Sequence, residues 1–155
     1  MPVGRHAHAH SIPDGFESVV NMFRYLVRFV LFIWQLPQNL LGLGVLLYYY
    51  LRYRKVHSVG NGIFLSHQFC SGGVCLGDII ILKSNQDCDF SRRHELGHRR
   101  QSMILGPLYL LVVGLPSACI NIASRFSTRI SNSYYRYFPE NWANKLGGVN
   151  RTDEE

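Results

Sequence analysis

Residues 91–105 read SRRHELGHRRQSMIL, and within them His94, Glu95 and His98 form the pattern H-E-x-x-H. Asp89 or Ser91 can cap a helix at its start and Gly106-Pro107 can end it, so the stretch predicts a helix over 91–105. Positions four apart on a helix share a face, which lets both imidazoles reach one metal ion. Glu95 lies on the adjoining face, close enough to take a proton from a water held there. Two imidazoles and a carboxylate leave a fourth tetrahedral position for water, a donor set that suits Zn2+. Iron and cobalt tolerate the same donors. Gly97 leaves space beside the ion for a backbone or a substrate.

Such a centre needs a third protein ligand. No histidine follows His98, and the only acids downstream are Glu140, Asp153, Glu154 and Glu155. The last three sit in the tail, residues 151–155, which leaves Glu140. It opens a helix expected over 139–147, with Asn144 one turn later on the same face, placed to orient a histidine from behind. The alternative for Glu140 is a charge that merely favours a helix N-terminus.

Between motif and third ligand lies an uncharged run from Gln101 to Ser124, long enough to span a bilayer. Gly106, Pro107, Gly114 and Pro116 interrupt it, so residues 106–124 read as a kinked crossing, two half-helices or a re-entrant hairpin. A single crossing would put Glu140 on the far side from His94 and His98. The metal assignment therefore asks the run to return, and a break near Gly114 and Pro116 is expected.

Upstream, Ile63-Phe64-Leu65 and Val74 to Leu82 are strand-like with Ser71-Gly72-Gly73 as a turn, which predicts a β-hairpin over 62–83. An exposed edge there could hold an extended peptide, or the hairpin could simply pack under the motif helix. Residues 29–51, FVLFIWQLPQNLLGLGVLLYYYL, carry no formal charge and read as a transmembrane helix kinked at Pro37. Tyr48 to Tyr50, then Arg52, Arg54 and Lys55, make an aromatic belt and a basic stop. A buried helix of a soluble core is the competing reading. Residues 1–18 read as a flexible tail whose His6, His8 and His10 are more simply solvated than metal-binding. The start does not resemble a signal peptide.

With 47% hydrophobic and only 17% charged residues the chain is not disordered. The charge of +6 flanks the apolar runs and forms no basic face interleaved with aromatics, so the expected partner is a lipid bilayer and no nucleic acid. Cys70 and Cys75 could close a hairpin disulfide, but reduced thiols are the default for these and for Cys88 and Cys119. Eight of the 16 basic residues lie between Arg52 and Arg100, which by the positive-inside rule puts the catalytic face in the cytoplasm. The fold class that results is an α+β membrane protein, with one domain over 19–150.

HELGH followed by a helix opening E-x-x-A-N, here Glu140 to Asn144, resembles the gluzincin pattern of membrane metallopeptidases, including the CAAX-processing and heat-shock-linked families. The longer strings HELGHRRQSMILGPLYLLVVGLPS and YFPENWANKLGG resemble a group of short, uncharacterised bacterial membrane proteins, over roughly residues 60 to 150. The resemblance implies a minimal zincin-like fold in a bacterial inner membrane and a Zn2+ site, and names no substrate or oligomeric state. Asn144 stands where the gluzincin pattern has Asp, which weakens the bond to a ligand histidine. A zinc-dependent peptidase is the leading expectation, with Glu95 as general base and a peptide or membrane protein as substrate. A catalytically inactive membrane accessory protein that keeps the fold is the alternative, and a metal-binding sensor is the third.

Overall fold

The computed structural model describes residues 14–69 and 72–149. His6, His8, His10 and Cys70, and with them the reading of a histidine tail and of a Cys70–Cys75 bridge, lie outside the described residues. The chain divides into two compact units, residues 1–31 and 32–155.

That helix, α1 (Asp14–Trp34), presents Met22, Phe23, Tyr25, Leu26, Phe29 and Val30 to the exterior. A second helix, α2 (Leu36–Tyr53), begins one residue later. No single helix covers 29–51, because Pro37 has no N–H to offer and its ring conflicts with the carbonyl four residues back. The break falls at Gln35. Among the described residues no single helix is long and apolar enough to cross a membrane; Glu17–Trp34 and Leu36–Tyr53 pass that test only as a broken pair.

Residues 56–83 form a four-stranded sheet where a single hairpin was expected. The strands are β1 (Val56–Gly60), β2 (Ile63–Ser66), β3 (Gly73–Leu76) and β4 (Ile79–Lys83), in the spatial order β1-β2-β4-β3. β1 and β2 form a hairpin through Asn61 and Gly62, both at positive φ, as a tight type I′ turn requires. β3 and β4 form a second hairpin, and β4 lies parallel to β2 with Ile63 opposite Ile80. The run from Val74 to Leu82 is thus two strands, turned at Gly77-Asp78. Of the expected turn Ser71-Gly72-Gly73, Gly73 opens β3 and Gly72 precedes it, while Ser71 lies outside the described residues.

The central strand β4, IIILK, is buried on both faces, which explains its unbroken apolar run. Ile80 and Leu82 pack with Ile63, Cys75, Leu65 and Leu96, whereas Ile79 and Ile81 pack with Phe69, Val45, Leu46 and Tyr49. The sheet is therefore a middle layer, with α2 on one face and the motif helix α3 (Asp89–Leu105) on the other. Cys88, not Asp89 or Ser91, caps α3, its sulfur accepting from the Ser91 amide at 3.5 Å.

α3 stops at Gly106, whose φ of 52° turns the chain under the Trp34 indole. After a 3₁₀ turn at Gly106–Leu108, a π-helical stretch, Leu110–Gly114, runs straight into α4 (Leu115–Ser124). The break expected near Gly114 and Pro116 is absent. The wider π turn lets Leu115 bond back to the Leu110 carbonyl just ahead of Pro116, so the ring fits without a kink. The reversal lies at Gly106-Pro107 instead. Short α5 (Thr128–Asn132) and a 3₁₀ turn at Tyr134–Arg136 then lead to α6 (Glu140–Gly147), which packs along α3.

Candidate metal centre

Helix α3 sets His94 and His98 one turn apart, and α6 lies against them because Gly97 has no side chain. A carbon at that position would strike the backbone of Ala143. The space expected beside the ion is thus filled by backbone. This close crossing brings Glu140, fully buried, under both imidazoles. Glu140 Oε2 lies 3.0 Å from His94 Nε2 and 3.3 Å from His98 Nε2, and the two Nε2 atoms are 3.2 Å apart.

The opposite ring nitrogens decide the protonation. His98 Nδ1 lies 2.7 Å from Gln101 Oε1, and Gln101 Nε2 donates to the Pro139 carbonyl at 3.0 Å, which fixes the amide the right way round. His94 Nδ1 lies 2.7 Å from Asn144 Oδ1. Both Nδ1 atoms are therefore donors, and in neutral rings both Nε2 atoms carry lone pairs. Three lone pairs, two from imidazole and one from carboxylate, converge on one point. The edges of that triangle are close to the roughly 3.3 Å between ligands of a tetrahedral ion with bonds of about 2.0–2.1 Å. The donor set fits a divalent cation of zinc's size, and His94, His98 and Glu140 are the one group among the described residues able to hold a metal ion.

With protons in place of an ion, the imidazoles turn N–H groups toward the same carboxylate. Burial pushes the Glu140 carboxyl up, yet hydrogen bonds from His94, His98 and Ser117 hold it well below the usual carboxylate range. Burial lowers His98, but Glu140 and Glu95 together hold its imidazole above the ordinary value, so protons compete with metal for this nitrogen. Glu95 has its pKa raised by burial, the charges of His98 and His94 offsetting part of that and Glu140 adding to it. Its Oε2 is buried with no hydrogen-bond partner, and a side chain on Gly73 of β3 would collide with its Oε1. A buried carboxylate without a partner is costly, and such strain is characteristic of a site kept for chemistry.

The five residues named from sequence thus meet in one place. The sequence reading missed several others. Gln101 was legible only as the next turn of the same helix face. On α4, Ser117 donates to Glu140 Oε1 at 2.5 Å. Ser117, Asn121 and Arg125, spaced four apart in an otherwise apolar run, were the available signal. Tyr135 stands edge-on to the His94 ring at 5.1 Å.

Comparison with protein-family models, with curated proteins and with solved structures yields no match for this chain.

Proposed function

We propose that this chain is a membrane-bound zinc-dependent metallohydrolase, a peptidase. The observation that carries the reading is the convergence of His94 Nε2, His98 Nε2 and Glu140 Oε2 beside the unpartnered carboxylate of Glu95. Zinc held there supplies Lewis acidity to a scissile carbonyl and to a water. The protein supplies the rest. Asn144 and Gln101 hold the two imidazoles in the tautomer that aims Nε2 inward. Glu95, its pKa raised by burial, takes a proton from the attacking water and hands it to the leaving amine. β3 is an edge strand packed against α3, and its open side suits an extended peptide bound by strand addition.

The membrane part of the proposal rests on α2. This helix turns its polar residues inward: Gln38, Asn39 and the N-cap Gln35 are fully buried, while Leu40, Leu41, Leu43 and Leu47 are exposed. Gln38 Nε2 donates to Ser102 Oγ and to the Gly106 carbonyl, and Ser102 Oγ donates to Gln35 Oε1. The Asp78 amide donates to Asn39 Oδ1 at 2.8 Å. Polar inside and apolar outside is the reverse of a water-facing helix and matches a lipid-facing one. On the positive-inside argument we place the catalytic face on the cytoplasmic side of a bacterial inner membrane.

The test is elemental analysis of detergent-purified protein joined to a peptide-cleavage assay. Near-stoichiometric zinc in wild type, lost in His98→Ala, and hydrolysis lost in Glu95→Gln with zinc retained, is the expected result. Zinc without hydrolysis would favour the accessory or sensor reading, which Asn144 supports because an amide brings no charge to His94. No zinc in wild type would sink the metal reading.

A further inference from the structure

We infer that Ser117 is a positioning residue that holds Glu140 as a one-oxygen ligand and so keeps the fourth position on the metal for water. The inference rests on the metal reading above and goes beyond it.

A carboxylate can offer a metal one oxygen or two. In this site the two oxygens of Glu140 are already divided. Oε2 faces both histidine nitrogens, and Oε1 takes the Ser117 hydroxyl proton in a short bond of 2.5 Å. A hydroxyl has a single proton, and Ser117 spends it on Glu140.

Ser117 and Asn121 stand one turn apart on one face of α4. Without Ser117 the freed Oε1 has no donor in a buried site. Its nearest available partner is then the same cation that Oε2 serves, and two-oxygen binding would occupy the position water needs. The role is therefore one of coordination number as much as of affinity.

The experiment uses detergent-purified full chain, with Ser117→Ala, Ser117→Val and Ser117→Thr beside wild type. Zinc affinity is read by competition with a chromophoric chelator, and coordination by the visible absorption of the Co2+ form. The expected result is a loss of 10- to 100-fold in affinity for Ser117→Ala, as is typical when an outer partner of a ligand is removed. Its Co2+ band should weaken and shift as coordination expands. Ser117→Thr, which restores the hydroxyl, should return both readouts. Ser117→Val, the shape of threonine without the hydroxyl, should repeat the loss and keeps the question answerable if Ser117→Ala does not fold. Wild-type affinity and an unchanged Co2+ spectrum in Ser117→Ala and Ser117→Val would overturn the inference and leave the metal site standing. Absence of metal binding in wild type would overturn the site and this inference together.

Discussion

Gln101 ties His98 to Pro139: one end of its amide accepts from His98 Nδ1 and the other donates to the carbonyl just ahead of Glu140. A single side chain therefore orients one ligand and anchors the segment that delivers another. In Gln101→Ala the Nδ1 proton of His98 loses its buried acceptor, and zinc affinity should fall about 10- to 100-fold. Proton NMR checks the cause, since the slowly exchanging His98 Nδ1–H resonance should disappear. Gln101→Glu keeps the acceptor and loses the donor, so it should retain the resonance and show a smaller loss.

Glu95→Gln should separate stability from chemistry. The buried Oε2 has no partner, and an ionised carboxylate there opposes folding. Replacing it with the neutral amide should raise the stability of the metal-free protein by about 1–2 kcal/mol while abolishing hydrolysis. Chemical denaturation without metal is the measurement. A less stable variant would mean that Glu95 is paired and structural.

Gly97→Ala should loosen α6. The added methyl meets the Ala143 backbone, and overpacking of this kind costs about 1–3 kcal/mol. Because the displaced helix carries Glu140 and Asn144, zinc affinity should fall with stability. An unchanged denaturation curve with unchanged zinc binding would contradict the crossing described here.

For α2 the outward and inward faces give opposite expectations. Gln38→Leu adds an apolar group but removes the bonds to Ser102 and Gly106, and should destabilise the protein by about 2 kcal/mol. Changing Leu40, Leu43 and Leu47 together to Ser should leave the packing intact and release the protein from membranes on carbonate extraction. Retention in the membrane fraction would place the lipid contact elsewhere.

The site was more legible than the fold, and the reason is local. HELGH is a pattern of spacing on one helix, and Glu140 followed by Asn144 is a pattern of spacing on another. Elimination of the other acids was enough to pair them. The sheet was misread because Val74 to Leu82 is apolar almost throughout, and periodicity cannot divide such a run. Gly77-Asp78 was the turn to notice, and Asn61-Gly62 was a strong hairpin signal passed over. β1 escaped because His57, Ser58 and Val59 are exposed and show no buried face. Four interrupting residues, Gly106, Pro107, Gly114 and Pro116, leave the place of the reversal open in the sequence. What decides it is tertiary: a π turn accommodates one ring, and Trp34 packs over Gly106 beside the other. Ser117 was invisible for the same reason, since its meaning depends on where Glu140 ends up.

The three groups that could hold a metal are split between two helices, with His94 and His98 on α3 and Glu140 on α6. During synthesis the histidine pair is made first, and every chain length from 98 to 139 carries it without its carboxylate. The earlier segments, α1 and α2 included, precede it. Completion of the three-donor group is thereby deferred until the scaffold before it has been made. A chain interrupted anywhere in that interval would carry the motif without its third donor.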